Sequence, residues 1–361
     1  MTNLDIPAKD QQTFTNGIKH PDLFLWDAWS FVDSDDVIHL YSLAVPRVRA
    51  DGSPITRIER NAVPFHMRHF SSRDLGGSWR DEGCLIAPRV GQGLPDSRTI
   101  WSGSIEPLSD GKKLLAYTGL YELDDEHCFA QNIMLALSDG YQIENRENEA
   151  LICPLRDWKT ITDSGYYLAA PSDIGDRAGE EGGPVMAWRD PFVFVDTQDQ
   201  VHLFWSAKTG PKQGALGHGL LRRDGQRFRL EKLFPPTSVP DGDGLTQFEL
   251  PKVYFDEKEG AYYLISATCN RLDEQQLDHE VDKRIRLHVS HSLDGPWRPW
   301  SPKGSVLPGL DGLFGMTVLK AEFDRKSLLC IAPYTDAAGD DLGLTFAPSF
   351  RIDLDPVKVV F

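Results

Sequence analysis

A hairpin pattern that occurs five times constrains the fold of this chain more than any other feature. In each copy an apolar run rich in Leu, Tyr, Phe and Trp is followed by a tight polar turn and a second apolar run. Such pairs are typical of hairpins of buried strands. Long helical periodicity is missing almost everywhere. The five copies occupy residues 31–41, 106–117, 192–205, 253–264 and 318–330.

A second element lies between these hairpins. Residues 71–79 and 290–297 share a rhythm of Ser, Asp, Gly and Trp, which suggests an outer hairpin after each inner one. Units of about four strands repeated around an axis describe a β-propeller, in which closure of the ring protects the strand edges. The sequence therefore predicts an all-β, five-bladed β-propeller with a central funnel-shaped active site. One catalytic domain is expected over residues 1–361, with a short N-terminal tail at about 1–20. A β-sandwich with long loops is the alternative.

The charge of the chain excludes several kinds of partner. It carries 38 Lys and Arg against 54 Asp and Glu, a formal net charge of −16, and no basic stripe. Such a chain repels nucleic-acid phosphates and anionic lipid surfaces, so neither is an expected partner. No apolar stretch approaches 18 residues, and the N-terminus lacks the pattern of a secretion signal. We expect a cytoplasmic protein, and the sequence leaves its oligomeric state open.

The cysteines point to neither disulfides nor metal. The five are scattered and include no C-x-x-C pair, a pattern that fits neither a disulfide framework nor a zinc site. The sequence predicts no metal site and no cofactor.

Three carboxylates stand where inner strands begin. Asp27, Asp190 and Glu249 open the first, third and fourth units, among Trp, Phe, Leu and Pro. The first strand of each propeller blade lines the central channel, so we expect these acids at equivalent positions facing one pocket. Burying carboxylates together is costly and pushes their pKa values apart, which suits distinct acid and base roles. Glycoside cleavage needs such a set, and a small carbohydrate is the expected ligand.

Aromatic and basic residues near the acids suit a sugar site. Arg189, beside Asp190, is expected to bind hydroxyl groups and keep a neighbouring carboxylate ionised. Apolar walls for a sugar ring are expected from Trp26, Trp29, Trp101 and Trp188.

The motifs resemble glycoside hydrolase family 68, the levansucrases, inulosucrases and related β-fructofuranosidases, from about residue 23 to residue 350. The resemblance implies a five-bladed propeller and retaining double displacement on a fructofuranoside such as sucrose, by hydrolysis or fructosyl transfer. The similar segments are residues 25–29 (L-W-D-A-W), 101–104 (W-S-G-S), 188–191 (W-R-D-P), 249–251 (E-L-P), 290–297 (S-H-S-L-D-G-P-W) and 345–350 (T-F-A-P-S-F).

The resemblance also implies a role for each matching residue. Asp27 would be the nucleophile, Asp190 the transition-state stabiliser and Glu249 the general acid/base. Trp101 would wall the fructosyl site, and Ser102 would support the nucleophile. The full set of residues expected to bind substrate is Trp26, Trp101, Ser102, Arg189, Gln247 and Arg271.

The chain departs from the family pattern on the leaving-group side. Leu250 stands where the family usually has Arg, and Gln247 where it usually has Glu. The position of a substrate-binding Arg falls near Cys269, two residues before Arg271, and an expected Tyr is Phe314. Loss of charged donors changes which leaving group a site holds.

Two other functions remain open at this stage. One is a related furanosidase that cleaves arabinosyl or xylosyl bonds with the same three acids. The other is a non-catalytic carbohydrate-binding propeller. If the chain is a fructofuranosidase, the missing secretion signal favours cytoplasmic hydrolysis of an imported fructoside over extracellular polymer synthesis.

Overall fold

The prediction of an all-β, five-bladed propeller is confirmed by a computed structural model. Within the residues that the structure describes, 21 strands form five antiparallel sheets, and none of the helices is long and apolar enough to cross a membrane. The described residues are 6–9, 12–123, 129–174, 186–242, 244–272, 276, 278–335, 339 and 341–361.

Each blade is built from strands that follow one another along the chain. Blade 1 contains β1 (Thr13–Thr15), β2 (Leu23–Val32), β3 (Ile38–Pro46), β4 (His66–Ser72) and β5 (Ser78–Ile86). Blade 2 contains β6 (Thr99–Pro107), β7 (Lys113–Glu122), β8 (Phe129–Ser138) and β9 (Ile143–Arg146). Blade 3 contains β10 (Arg189–Val195), β11 (Val201–Gly210), β12 (Gln213–Asp224) and β13 (Arg227–Leu233). Blade 4 contains β14 (Gln247–Asp256), β15 (Ala261–Cys269), β16 (Lys283–Ser290) and β17 (Arg298–Pro299). Blade 5 contains β18 (Thr317–Glu322), β19 (Ser327–Ile331), β20 (Phe350–Leu354) and β21 (Val357–Val360).

Helices are few and lie in the connections. The one α-helix of the described residues, α1 (Trp158–Asp163), follows blade 2. In the part of the chain that the structure describes, four short 3₁₀ segments occupy Ile58–Ala62, Pro171–Asp173, Asp278–Glu280 and Phe323–Arg325.

The innermost strand of every blade is interrupted close to its start. These strands, β2, β6, β10, β14 and β18, pair with the next strand and then shift register, which marks a β-bulge. Bulges bend a strand and re-aim its side chains, and they are common beside active sites. The shifts fall between Trp26 and Ala28, Trp101 and Gly103, Arg189 and Phe192, Glu249 and Lys252, and Val318 and Lys320.

The apolar core consists of five clusters, one between each pair of neighbouring blades. Strand residues alternate between faces, and both faces of an inner strand here meet another blade, which explains the nearly continuous apolar runs. Trp29 is 1% exposed in the cluster between blades 1 and 2, and Trp188 is fully buried between blades 2 and 3. The expectation that these two tryptophans wall a sugar site is therefore wrong, because both are core residues.

The N-terminal segment joins blade 1. Strand β1 pairs with the outer strand β5, and Ile18 bridges to Phe346 of blade 5. The Arg68 guanidinium donates to the carbonyls of Pro7 and Ala8. The stretch expected as a tail at about 1–20 is thus, from β1 onward, a structured part of the ring.

Candidate active site

The bulges of blades 1, 3 and 4 set the backbone of the three acids. Asp27 and Asp190 occupy the bulge itself, with φ of +46° and +58°. In blade 4 the same position belongs to Leu250, with φ of +51°, and Glu249 lies one residue earlier. The expectation of three equivalent positions therefore holds for the two aspartates and is wrong for Glu249, which shares the position of Arg189 in blade 3.

Left-handed backbone at residues other than glycine is strained and persists only where surrounding contacts hold it. The Asp190 N–H donates to Thr118 Oγ1 at 2.9 Å, and the Leu250 N–H donates to Asp190 Oδ2 at 3.2 Å. At the first bulge, the Ala28 N–H donates to the Gly315 carbonyl of blade 5 at 3.2 Å. The backbone at each of these three bulges is thus held by a hydrogen bond to another blade.

Asp27 lies at the meeting point of blades 1, 2 and 5. The Ser102 hydroxyl donates to Asp27 Oδ2 at 2.5 Å. Gly315, with φ of +63°, approaches so closely that a Cβ there would lie 2.9 Å from Asp27 Oδ1. Burial raises the pKa of Asp27 to about 6, and the Ser102 hydrogen bond opposes that increase.

Asp190 is the more deeply buried of the two aspartates, at 6% exposed. Burial raises its pKa to about 7, against the effect of the Arg189 guanidinium. The carboxylates of Glu249 and Asp27 add to the increase, so the three acids lie close enough to affect one another's titration.

Arg189 connects the third and fourth blades. Its Nη2 lies 3.3 Å from Glu249 Oε1 and 3.1 Å from Gln247 Oε1, and its Nε lies 3.8 Å from Asp190 Oδ2. Its Nη1 donates to the Met186 carbonyl at 2.6 Å. The guanidinium is therefore a fixed cation between two of the acids, and the fully buried Gln247 orients it.

Glu249 is more open than Asp190, since its side chain is 19% exposed against 6%. The Cys269 thiol of strand β15 lies 3.6 Å from Glu249 Oε1. A partly exposed carboxyl beside an arginine can exchange protons with a bound ligand.

The other expected substrate-binding residues lie around this centre. Trp26 and Trp101 are half-buried and meet Phe65 and Phe129 edge-to-face. Arg271 follows strand β15, where its Nη1 donates to the Gln276 carbonyl at 2.8 Å. Trp26 and Trp101 are the chain neighbours of Asp27 and Ser102, whereas, among the described residues, the hydrogen bonds of Arg271 are with Gln276 and Thr246 and not with the three acids.

Several residues of the centre escaped the sequence analysis. Thr118 of β7 donates to the Ser102 carbonyl and accepts from the Asp190 N–H, and nothing in its strand distinguishes it. Gly315 is marked only by its place in a loop. Lys252 has the one readable signal, because a lysine interrupts the apolar stretch of residues 250–255.

The described residues contain no group of three or more His, Cys, Asp or Glu side chains arranged to hold a metal ion. The centre instead combines three carboxyls with the cations Arg189 and Lys252. Such a set of groups is able to carry out nucleophilic and acid/base catalysis.

No protein-family profile matches the chain. In an alignment of 401 positions, the chain is 23% identical to a levansucrase of Bacillus amyloliquefaciens. This alignment covers 97% of this chain and 82% of that protein. In an alignment of 407 positions, it is 23% identical to an inactive levansucrase of Geobacillus stearothermophilus, and this alignment covers 98% of this chain and 83% of that protein. Its structure is similar, with a TM-score of 0.65 and 20% identity, to an inulosucrase from Halalkalicoccus jeotgali bound to kestose, covering 97% of this chain and 90% of that one.

Proposed function

Because the chain is a divergent relative of the levansucrases of glycoside hydrolase family 68, as its motifs indicated, we propose that it cleaves a β-fructofuranoside such as sucrose with retention of configuration. The relationship supports an activity of the fructosyltransferase and glycoside hydrolase class. The observation that carries the proposal is that Asp27, Asp190 and Glu249 lie close to one another and to Arg189.

In the first step, Asp27 attacks the anomeric carbon of the fructosyl unit. The bond to the leaving oxygen breaks, its electron pair goes to that oxygen, and Glu249 transfers a proton to it. Ser102 stabilises the ionised Asp27 by its hydrogen bond. Asp190 stabilises the positive charge that develops on the ring, and Arg189 orients hydroxyl groups.

In the second step, Glu249 removes a proton from water or from a sugar hydroxyl. That oxygen attacks the anomeric carbon, and the bond to Asp27 breaks. Water gives hydrolysis, whereas a sugar gives fructosyl transfer.

The side of the site that takes the leaving group supports a second candidate, a fructoside other than sucrose. Leu250 is buried at 4% exposed, where the family usually has an arginine. Gln247 binds Arg189 in place of the usual glutamate. A site with fewer charged donors discriminates differently among leaving groups.

The test is prolonged incubation with sucrose, with glucose and fructose measured separately. The control is Asp27→Asn, which keeps the shape of the side chain and removes its charge. Equal release of both sugars, abolished in Asp27→Asn, supports a β-fructofuranosidase. Glucose in excess over fructose supports fructosyl transfer.

If no sugar is released, a panel of aryl fructosides, arabinosides and xylosides separates another furanosidase from a non-catalytic protein. Quenching of tryptophan fluorescence by these sugars without turnover of any of them would contradict the catalytic proposal. It would support a carbohydrate-binding propeller instead.

A further inference from the structure

Lys252 is a deeply buried lysine close to the centre of the site. It lies on β14, three residues after Glu249, and is 2% exposed. Its Nζ donates to the Leu250 carbonyl at 3.3 Å, while the N–H of the same Leu250 donates to Asp190 Oδ2. The backbone of one residue thus joins the ammonium group to one of the acids.

The ammonium group makes few hydrogen bonds for a buried charge. It has three protons to donate, and in the part of the chain that the structure describes its hydrogen bond is the long one to Leu250. A buried charge without full hydrogen bonding is costly unless opposite charges compensate it. Asp27 of β2 and Asp190 of β10 are the opposite charges that act on it.

The charges of the site balance only if Lys252 is counted. Asp27, Asp190 and Glu249 carry three negative charges when ionised, and Arg189 supplies one positive charge. In the state that begins the proposed reaction, Glu249 is protonated and the two aspartates are ionised. Arg189 then compensates one aspartate, and Lys252 compensates the other.

We propose that Lys252 is a positioning residue that keeps Asp27 and Asp190 ionised together by supplying the second positive charge of the site. The inference rests on the proposed function, because it assigns a role within that reaction. It also names a basic residue that the motif resemblance does not include.

The electrostatics agree with this assignment. Burial lowers the pKa of Lys252 to about 8, and the two aspartates oppose the decrease, so the ammonium form predominates at neutral pH. In turn, Lys252 and Arg189 both lower the pKa of Asp27, whereas Glu249 raises it.

The first experiment compares the pH dependence of kcat/KM in the wild type and in Lys252→Met. Methionine keeps the length and apolar contacts of the side chain and removes the charge. We expect the acidic limb of the profile to move upward by about one pH unit. Lys252→Arg, which keeps the charge, should retain the wild-type limb even if its kcat falls.

Lys208→Met is the matched control, because Lys208 is also 2% exposed but lies on β11 and donates to the Pro211 carbonyl. It should leave the acidic limb in place. If Lys252→Met changes only thermal stability, as a structural lysine would, the proposal is wrong.

A second measurement does not depend on substrate. With aspartate labelled with ¹³C at its side-chain carboxyl, NMR follows the titration of Asp27, assigned from Asp27→Asn. The Asp27 carboxyl should titrate at higher pH in Lys252→Met, and an unchanged titration would refute the inference. An inactive wild type with a shifted titration would overturn the proposed function while supporting the role of Lys252. If Lys252→Met does not fold, the same titration in Lys252→Gln decides.

Discussion

The hydroxyl of Ser102 and the carboxyl of Asp27 form a short contact between two blades, and its effect is measurable. The raised pKa values of Asp27 and Asp190 predict that kcat/KM of the wild type falls as the pH decreases through about 7 to 6, because the aspartates then become protonated. Ser102→Ala removes a bond that favours the ionised form. We expect the acidic limb of the kcat/KM profile to shift to higher pH in this variant. At neutral pH, kcat/KM should fall roughly tenfold, since hydrogen bonds to charged groups contribute about 1.5–3 kcal/mol.

Ser104→Ala is the control for this prediction. Ser104 lies on the same strand and is buried, but its hydroxyl accepts from the Val193 N–H and not from an acid of the site. Loss of the Ser104 hydroxyl should reduce the stability of the fold and leave the acidic limb of the kcat/KM profile at its wild-type pH. Equal pH profiles for both variants would contradict the role given to Ser102.

At the scale of the structural element, the loop before β18 packs closely against the bulge of strand β2. Gly315→Ala would place a methyl group 2.9 Å from Asp27 Oδ1, closer than real contacts allow, and 3.1 Å from Asp27 Cα, which is tighter than most. Alanine also disfavours the φ of +63°. We expect a loss of more than tenfold in kcat/KM and a lower melting temperature.

Gly312→Ala separates the two causes. Gly312 lies in the same loop with φ of +79°, and a Cβ there meets nothing within 4 Å. This variant carries the backbone strain without the collision, so its Tm should fall while its kcat/KM stays near the wild-type value. Similar activity losses in both variants would show that backbone strain alone, and not displacement of Asp27, is responsible.

The elements also show how far the sequence could be interpreted. The five inner strands were predictable because the faces of each are buried between blades, which gives apolar runs that end at Asp- and Gly-rich turns. The bulges were not predictable, because a register shift depends on how a strand pairs with its neighbour and leaves no mark in the strand's own sequence. For that reason the one-residue offset of Glu249 from Asp27 and Asp190 emerged only from the structure. Thr118 and Gly315 also escaped prediction, because their contacts exist only once distant blades meet.

At the scale of the whole molecule, one buried ion pair holds the N-terminal segment. The Arg68 guanidinium binds both oxygens of Asp81 at 2.8 and 2.5 Å, and His20 Nε2 lies 3.5 Å from Asp81. These partners hold the pKa of Asp81 well below its usual range. Asp81→Asn leaves Arg68 uncompensated and should lower the free energy of unfolding at pH 7 by about 3–5 kcal/mol.

The effect of pH on this pair has a definite sign. Folding lowers the pKa of Asp81, so the pair stabilises the folded state fully at pH values above about 4, the ordinary pKa of an aspartate. This contribution is lost as the pH falls below that value. Urea unfolding curves of the wild type and Asp81→Asn should therefore converge in acid. Asp51→Asn, at an exposed turn, is the control, and its free energy of unfolding should equal that of the wild type at every pH. A difference in unfolding free energy between the wild type and Asp81→Asn that stays constant at every pH would refute this account.

Every blade contributes to the site: Asp27 comes from blade 1, Ser102 from blade 2, Asp190 from blade 3, Glu249 from blade 4, and Gly315 from the loop that enters blade 5. Each sheet, apart from β1, is made of consecutive strands and can pair as soon as its own segment has been synthesised. The candidate active site, in contrast, has no local precursor. Catalysis would therefore be the last property to emerge on the ribosome or in refolding, and its recovery would time the closing of the ring.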